Sequence, residues 1–255
     1  MEKLIQRVQQ ADSLVCVGLD PIGADDQVLA RLHEVIDQTA PYAAAFKPNL
    51  AFFLSRPDGV NLLRIVVDRV PNDIPVILDG KFGDIANTAE HYARFAYEVI
   101  GADAVTVNPY MGDDAIVPFA QPGKMVFVLT KTSNKPAHSL QDVGLTRGGY
   151  LSDLAAGVAK ELDNQYHNIG LVVGGTNPEA LARVRQACPD QWFLVPGIGA
   201  QGGDLASTLQ AGLRSDGLGV LINSSRAIWQ AADAGAAARE LQQQINSYRP
   251  AVINA

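Results

Sequence analysis

Eight short apolar runs, each followed by a stretch of helical length, most narrow what this chain can fold into. They fall at 14–19, 43–46, 76–78, 104–107, 125–129, 171–173, 193–195 and 219–222. The runs are rich in Val, Leu and Ile and too short for helices, and near-continuous hydrophobicity suits parallel strands buried on both faces. Their starts recur roughly every 29 residues, the length of one strand–helix unit. Between them, 61–70, 88–100, 151–162 and 178–186 carry helical apolar spacing. The last is opened by Asn177 as a cap and Pro178 at the first helical position. The Ala-rich stretch 231–238 reads as helix, because Ala costs least there. Eight such units in 255 residues predict a single closed (β/α)₈ TIM barrel spanning 1–255. An open doubly wound sheet fits the same periodicity. The least strand-like run is the second, AAAFK, and 130–149 is a long excursion after the fifth.

Composition closes several other doors. Apolar residues make up 47% and charged residues 18%, enough for a sizeable core and against wholesale disorder. Twenty basic against 27 acidic residues leave a net charge of −7. That disfavours nonspecific binding to nucleic acid or an anionic membrane, while a local basic pocket can still hold one small anion. Cys16 and Cys188 are the two cysteines, too few for a disulfide framework and in keeping with a reducing compartment. His33, His91, His138 and His167 show no metal-ligand spacing. The opening MEKLIQRVQQ has no signal-peptide core, and no uninterrupted apolar run approaches ~18 residues. The expectation is a cytoplasmic protein without metal or cofactor.

Barrel enzymes carry their chemistry where strands end, and the strand ends here are polar. Asp20 follows the first run, Lys47 the second, and Asp79 with Lys81 the third. Ser133 and Asn134 follow the fifth. Strand-end charges can simply meet water, but charges set directly after apolar runs are costly to bury unless paired. In Asp79-Gly-Lys-Phe-Gly-Asp84, positions 79 and 81 fall on one side of an extended strand. With Lys47 from the neighbouring strand they predict an alternating Lys–Asp–Lys–Asp array, either catalytic or a structural ion-pair network at a barrel mouth. A site that excludes water strengthens each interaction in such an array.

A second constellation combines Pro196-Gly-Ile-Gly-Ala-Gln-Gly-Gly-Asp204 with Asn223-Ser-Ser-Arg226. Glycines let backbone N–H groups converge on an anion, and barrels often bind phosphate with the loops after strands seven and eight. Arg226 adds a forked donor for phosphate oxygens. A glycine-rich turn by itself is more often only a turn. The Gly174-Gly175-Thr176 segment reads as a tight turn without chemistry. His138 reads as solvated, His91, Trp192 and Trp229 as structural, and the two thiols as unreactive.

With these residues assembled, the chain resembles the orotidine 5′-phosphate decarboxylase family, in its longer-chain branch. The likeness runs nearly end to end: VGLDP at 17–21, FKPNLAFF at 46–53, LDGKFGDIANTAEHYA at 78–93 and VNPYMGDD at 107–114. It continues with TSN at 132–134, VVGGTNPEAL at 172–181, VPGIGAQGGD at 195–204 and INSSRAIW at 222–229. Gly80 departs from the pattern, since a bulkier residue can stand there, but this puts no role in doubt. The carboxylate–lysine segment also occurs in phosphate-binding barrels such as 3-keto-L-gulonate 6-phosphate decarboxylase and hexulose-phosphate synthase, which match less well at TSN and AQGG.

The resemblance implies a homodimer with shared active sites, converting orotidine 5′-phosphate to UMP and CO₂ in the final step of de novo pyrimidine nucleotide synthesis. It implies Lys81 as proton donor to C6, Asp79 against the substrate carboxylate, and Lys47 and Asp84 completing the array. Asp84 and Thr88 reach the partner's site. Asp20 and Lys47 hold ribose hydroxyls, and Ser133 the pyrimidine. Gln201 and Arg226 grip phosphate, helped by backbone N–H groups near Gly199 and Ser225. The rivals are a metal-dependent sugar-phosphate decarboxylase, an aldolase with a Schiff-base lysine, and a barrel that binds phosphate without catalysis.

Overall fold

The computed structural model of the chain describes residues 1–199 and 202–250. All eight runs are strands: β1 Val15–Leu19, β2 Ala45–Pro48, β3 Ile77–Phe82, β4 Ala104–Val107, β5 Met125–Lys131, β6 Ile169–Val173, β7 Phe193–Val195 and β8 Val220–Ser224. They form one parallel sheet in the order β2-β1-β8-β7-β6-β5-β4-β3. Parallel bridges Phe46↔Val76 and Asn49↔Asp79 join the two ends. The sheet therefore closes on itself as a (β/α)₈ barrel, and the open-sheet alternative falls.

The helices follow the periodic segments. Gly59–Arg69, Ala86–Arg94, Leu151–Tyr166 and Pro178–Ala187 occupy the four predicted stretches. The second passes into a π-helical turn, Phe95–Val99, so the 88–100 segment is not one α-helix. The Asn177 side chain accepts from the Ala180 N–H at 3.0 Å, as a cap should. The Ala-rich segment becomes helical later than expected, in Ala234–Asn246, with Asp233 as its cap. Its carboxylate accepts from the Ala236 N–H at 2.8 Å, which fixes the start there.

The N-terminal strand ends are closed by the helix Glu2–Ala11. Its Leu4 and Val8 are buried, and Lys3 pairs with Asp103 at 2.8 Å. Arg7 donates to the Ala43 carbonyl at 2.9 Å. The opposite, C-terminal end is left open for side chains from the loops. Cys16 and Cys188 are both buried, and burial pushes the Cys16 thiol up to about 12, so neither is a reactive thiolate. Trp192 and Trp229 are packed in the core, while His138 and His91 are exposed. His91 is thus not a core residue. No helix among the described residues is long and apolar enough to cross a membrane.

Candidate active site

A cavity of about 600 Å³ opens at the C-terminal end of the barrel. Asp20, Lys47, Asp79, Lys81, Ser133, Ser225 and Arg226 all line it. Seven residues named from strand ends and loops thus meet in one place. Leu129, Val172, Leu194 and Ile198 supply apolar wall.

The charged array is built on β2 and β3. The Lys47 ammonium lies 2.8 Å from Asp79 Oδ2, and the Lys81 ammonium 2.6 Å from Asp79 Oδ1. Lys47 and Asp79 are only 4% and 8% exposed. Burial on its own raises the Asp79 carboxyl, but Lys47 and then Lys81 overcome it and hold the group well below the usual carboxylate range. Magnitudes explain the outcome: a pair at 4 Å gains about 4 kcal/mol at an effective dielectric of ~20. Two closer cations outweigh the several kcal/mol lost on desolvation. Burial likewise lowers Lys47, yet Asp79 and Asp20 more than reverse it and keep that ammonium above its ordinary range. A depressed Asp contributes stability above its unfolded value of about 3.9, and a raised Lys contributes it below about 10.4. Both stabilising contributions are therefore fully present across roughly pH 4–10.

Simple alternation does not account for the meeting of residues 79 and 81. Leu78 faces Val105 and Phe82 faces Val107, so Asp79, Gly80 and Lys81 bulge opposite Thr106 alone. Lys81 takes a left-handed backbone, φ 46°, which costs a non-glycine residue on the order of 1–2 kcal/mol. Bulges re-aim side chains in this way next to active sites. Gly80 also proves to be constrained: a Cβ there would stand 2.5 Å from the Phe82 ring. That ring stacks on Phe119 and meets Tyr92, so a bulkier residue needs the cluster to shift.

Thr106 was not foreseen from sequence. Its hydroxyl donates to Asp79 Oδ1 at 2.9 Å and accepts from the Lys81 N–H at 2.9 Å. A second anchor, also unforeseen, fixes the Ser133 segment. Lys131 pairs with Asp142 at 2.6 Å, the Thr132 N–H donates to Gln141 Oε1, and Gln141 Nε2 donates to the Thr132 hydroxyl. The Gly174 turn has a packing purpose beyond tightness, because a Cβ there would lie 2.8 Å from the Ser133 nitrogen.

A sequence model of the family described as orotidine 5′-phosphate decarboxylase / HUMPS matches residues 13–241. The chain belongs to that family. It is 46% identical over 268 residues to the orotidine 5′-phosphate decarboxylase of Cupriavidus necator, covering 97% of this chain and 98% of the relative. Among solved structures it is similar to Leishmania donovani OMP decarboxylase, at 47% identity and TM-score 0.91, covering 97% and 98% of the two chains. It also resembles Leishmania donovani UMP synthase at 49% identity and TM-score 0.93, with 97% of this chain spanning 56% of that longer one.

Within this family's barrel, the remaining expected residues divide. Ser225 donates to Asp20 Oδ2 at 2.6 Å, while Asp20 Oδ1 and Asn223 Oδ1 are buried without a hydrogen-bond partner among the described residues. Arg226 is exposed, and its guanidinium makes no hydrogen bond or ion pair with any described residue. The Gly199 N–H is engaged, donating to the Gly203 carbonyl at 3.0 Å, so the loop holds its own amide rather than presenting it. Gln201 lies outside the described residues. Asp84 and Thr88 do not line the cavity. The Asp84 carboxylate accepts from the Ile85 N–H at 2.8 Å, and Thr88 is exposed near the start of the helix Ala86–Arg94. The fourth charge of the expected array is therefore not joined to the other three within one chain.

Proposed function

We propose that this chain decarboxylates orotidine 5′-phosphate to UMP and CO₂, as a cytoplasmic homodimer that needs neither metal nor cofactor. The observation that carries the reading is the Lys47–Asp79–Lys81 array, buried at its centre, in the same cavity as the Arg226 guanidinium, which no described residue engages. One end of such a cavity suits a phosphate, and the other suits negative charge developing at carbon.

The bond from C6 to the carboxylate breaks, CO₂ departs, and the electron pair stays at C6. No ring system or metal accepts that pair, so a fixed ammonium beside it stabilises charge as it forms, which is the binding that accelerates a reaction. Lys81 supplies this charge and then its proton, and water restores the ammonium. Asp79 faces the departing carboxylate and keeps Lys47 protonated. Lys47 and Asp20 hold ribose hydroxyls, a role supported by the unpartnered Asp20 Oδ1 in the cavity wall. Ser133 reads the pyrimidine between the apolar walls. Arg226, Gln201 and amides near Gly199 and Ser225 grip the phosphate. For Gly199 this exchanges its bond to the Gly203 carbonyl for one to the ligand.

An aldolase that used Lys47 as its Schiff-base amine loses ground, because such a lysine must shed its proton readily whereas Lys47 is held protonated. The dimer is supported by exposed apolar residues on the segments that follow β3 and β4: Ile85, Tyr92, Tyr110 and Met111. A second copy covering them would bring Asp84 and Thr88 toward another cavity.

Pure protein dialysed against EDTA should consume orotidylate, followed by its ultraviolet absorbance, at an undiminished rate. A rate restored only by added metal would favour the sugar-phosphate branch. The phosphate assignment has its own check. Arg226→Ala should weaken UMP binding by about tenfold to a hundredfold, in line with about 1.5–3 kcal/mol for a charge-assisted bond, and leave uridine binding nearly unchanged. Calorimetric titration of both ligands reads the difference, and equal losses would move Arg226 away from the phosphate.

A further inference from the structure

We propose that Thr106 is a positioning residue that holds Lys81 in its working geometry. The inference rests on the decarboxylase reading for its effect on turnover, and on the local geometry for everything else. The bulge sets Asp79, Gly80 and Lys81 opposite Thr106 alone, so the Lys81 N–H loses an ordinary ladder partner. The Thr106 hydroxyl takes that N–H at 2.9 Å and gives its own proton to Asp79 Oδ1 at 2.9 Å. Asp79 Oδ1 in turn receives the Lys81 ammonium at 2.6 Å. The three bonds form a closed ring: Lys81 backbone, Thr106 hydroxyl, Asp79 carboxylate, Lys81 side chain.

The ring matters because packing alone does not fix Lys81. Its side chain is 48% exposed, and its backbone sits at φ 46°, a conformation that L-residues leave unless they are held. Thr106, at 1% exposure, is anchored in β4 and cannot follow if the bulge relaxes. Its single hydroxyl proton is committed to Asp79, since the Lys81 N–H already occupies an acceptor position on the same oxygen. With Oδ2 bound to Lys47 at 2.8 Å, the carboxylate is held from both sides. Remove the hydroxyl, and both the backbone and the carboxylate lose the contact that couples them. Valine keeps the branched shape suited to a strand but has no donor or acceptor. Serine keeps both.

The test compares Thr106→Val, Thr106→Ala and Thr106→Ser in the full-length protein by three measurements: hydrogen exchange of the Lys81 amide by NMR, kcat with orotidylate, and the UMP dissociation constant. For Val and Ala we expect Lys81 exchange at least about tenfold faster and kcat lower by about 10–100-fold. UMP binding should stay within about twofold, because the phosphate and ribose contacts are untouched. Thr106→Ser should return both exchange and kcat to within about threefold of the wild type. Unchanged kcat in a folded Val or Ala variant would overturn the proposal. So would a Ser variant that loses kcat and UMP affinity together, the mark of simple packing. If Val fails to fold, Ala and Ser still decide the matter. Should the wild type leave orotidylate unconsumed, the decarboxylase reading fails, yet the exchange contrast between Val and Ser still reports on the ring.

Discussion

Lys81→Ala is expected to lower kcat by at least about 10³-fold, combining a lost proton donor with a lost cation. Its unfolding temperature should stay within about 4 °C of the wild type, the shift that ~1 kcal/mol produces in a chain of this size. The separation follows from burial. Lys81 is half exposed, and its removal leaves Asp79 paired with Lys47 at 2.8 Å. Asp79→Ala has the opposite signature, because it strands the Lys47 ammonium, 4% exposed, without its main partner. Breaking a buried pair in that way costs about 3–5 kcal/mol. Activity falls in both variants, but only the second should melt early. Near-normal turnover by folded Lys81→Ala would remove the mechanism proposed for this cavity, whatever the Asp79 variant does.

How far the sequence exposed these features depends on the scale of the interaction that creates them. The eight strands were legible because burial on both faces imposes a long apolar signal on each run, and strand-end charges stand out against it. Lys47, Asp79 and Lys81 were found for that reason. The means by which Asp79 and Lys81 meet was not legible: period-two alternation predicts the right neighbours, but the chain reaches them through a bulge and a left-handed lysine. Thr106 left no trace because AVTV reads as an ordinary strand, and a β-branched polar residue fits a strand whether or not its hydroxyl is used. The Lys131–Asp142 and Thr132–Gln141 contacts join β5 to the excursion that follows it, and the fold of that excursion has no periodicity to announce it. The family resemblance implies amide donors near Gly199 for the phosphate. The loop's own geometry instead closes the Gly199 amide onto Gly203.

Mixing two inactive variants, Lys81→Ala and Asp84→Asn, should restore roughly a quarter of the wild-type sites once subunits exchange. The position of Asp84 motivates the experiment. It lies three residues past Lys81, yet its carboxylate turns back to the Ile85 N–H and stays out of the cavity. Exposed Ile85, Tyr92, Tyr110 and Met111 accompany it, and an apolar group of that kind is best satisfied by a covering surface. Under two-fold symmetry, whatever one copy offers its partner it also receives. If Asp84 serves the neighbouring cavity, a mixed dimer gathers both defects in one site and neither in the other. Equal amounts exchanging at random make about half the dimers mixed, which gives the quarter. If Asp84 serves its own chain, each site in the mixed dimer keeps one defect and activity stays at the level of the separate variants. Mass spectrometry of differently labelled subunits shows whether exchange has occurred. Complete exchange without recovery would return Asp84 to its own chain, and the site would then have to work with the three charges that already meet in one copy.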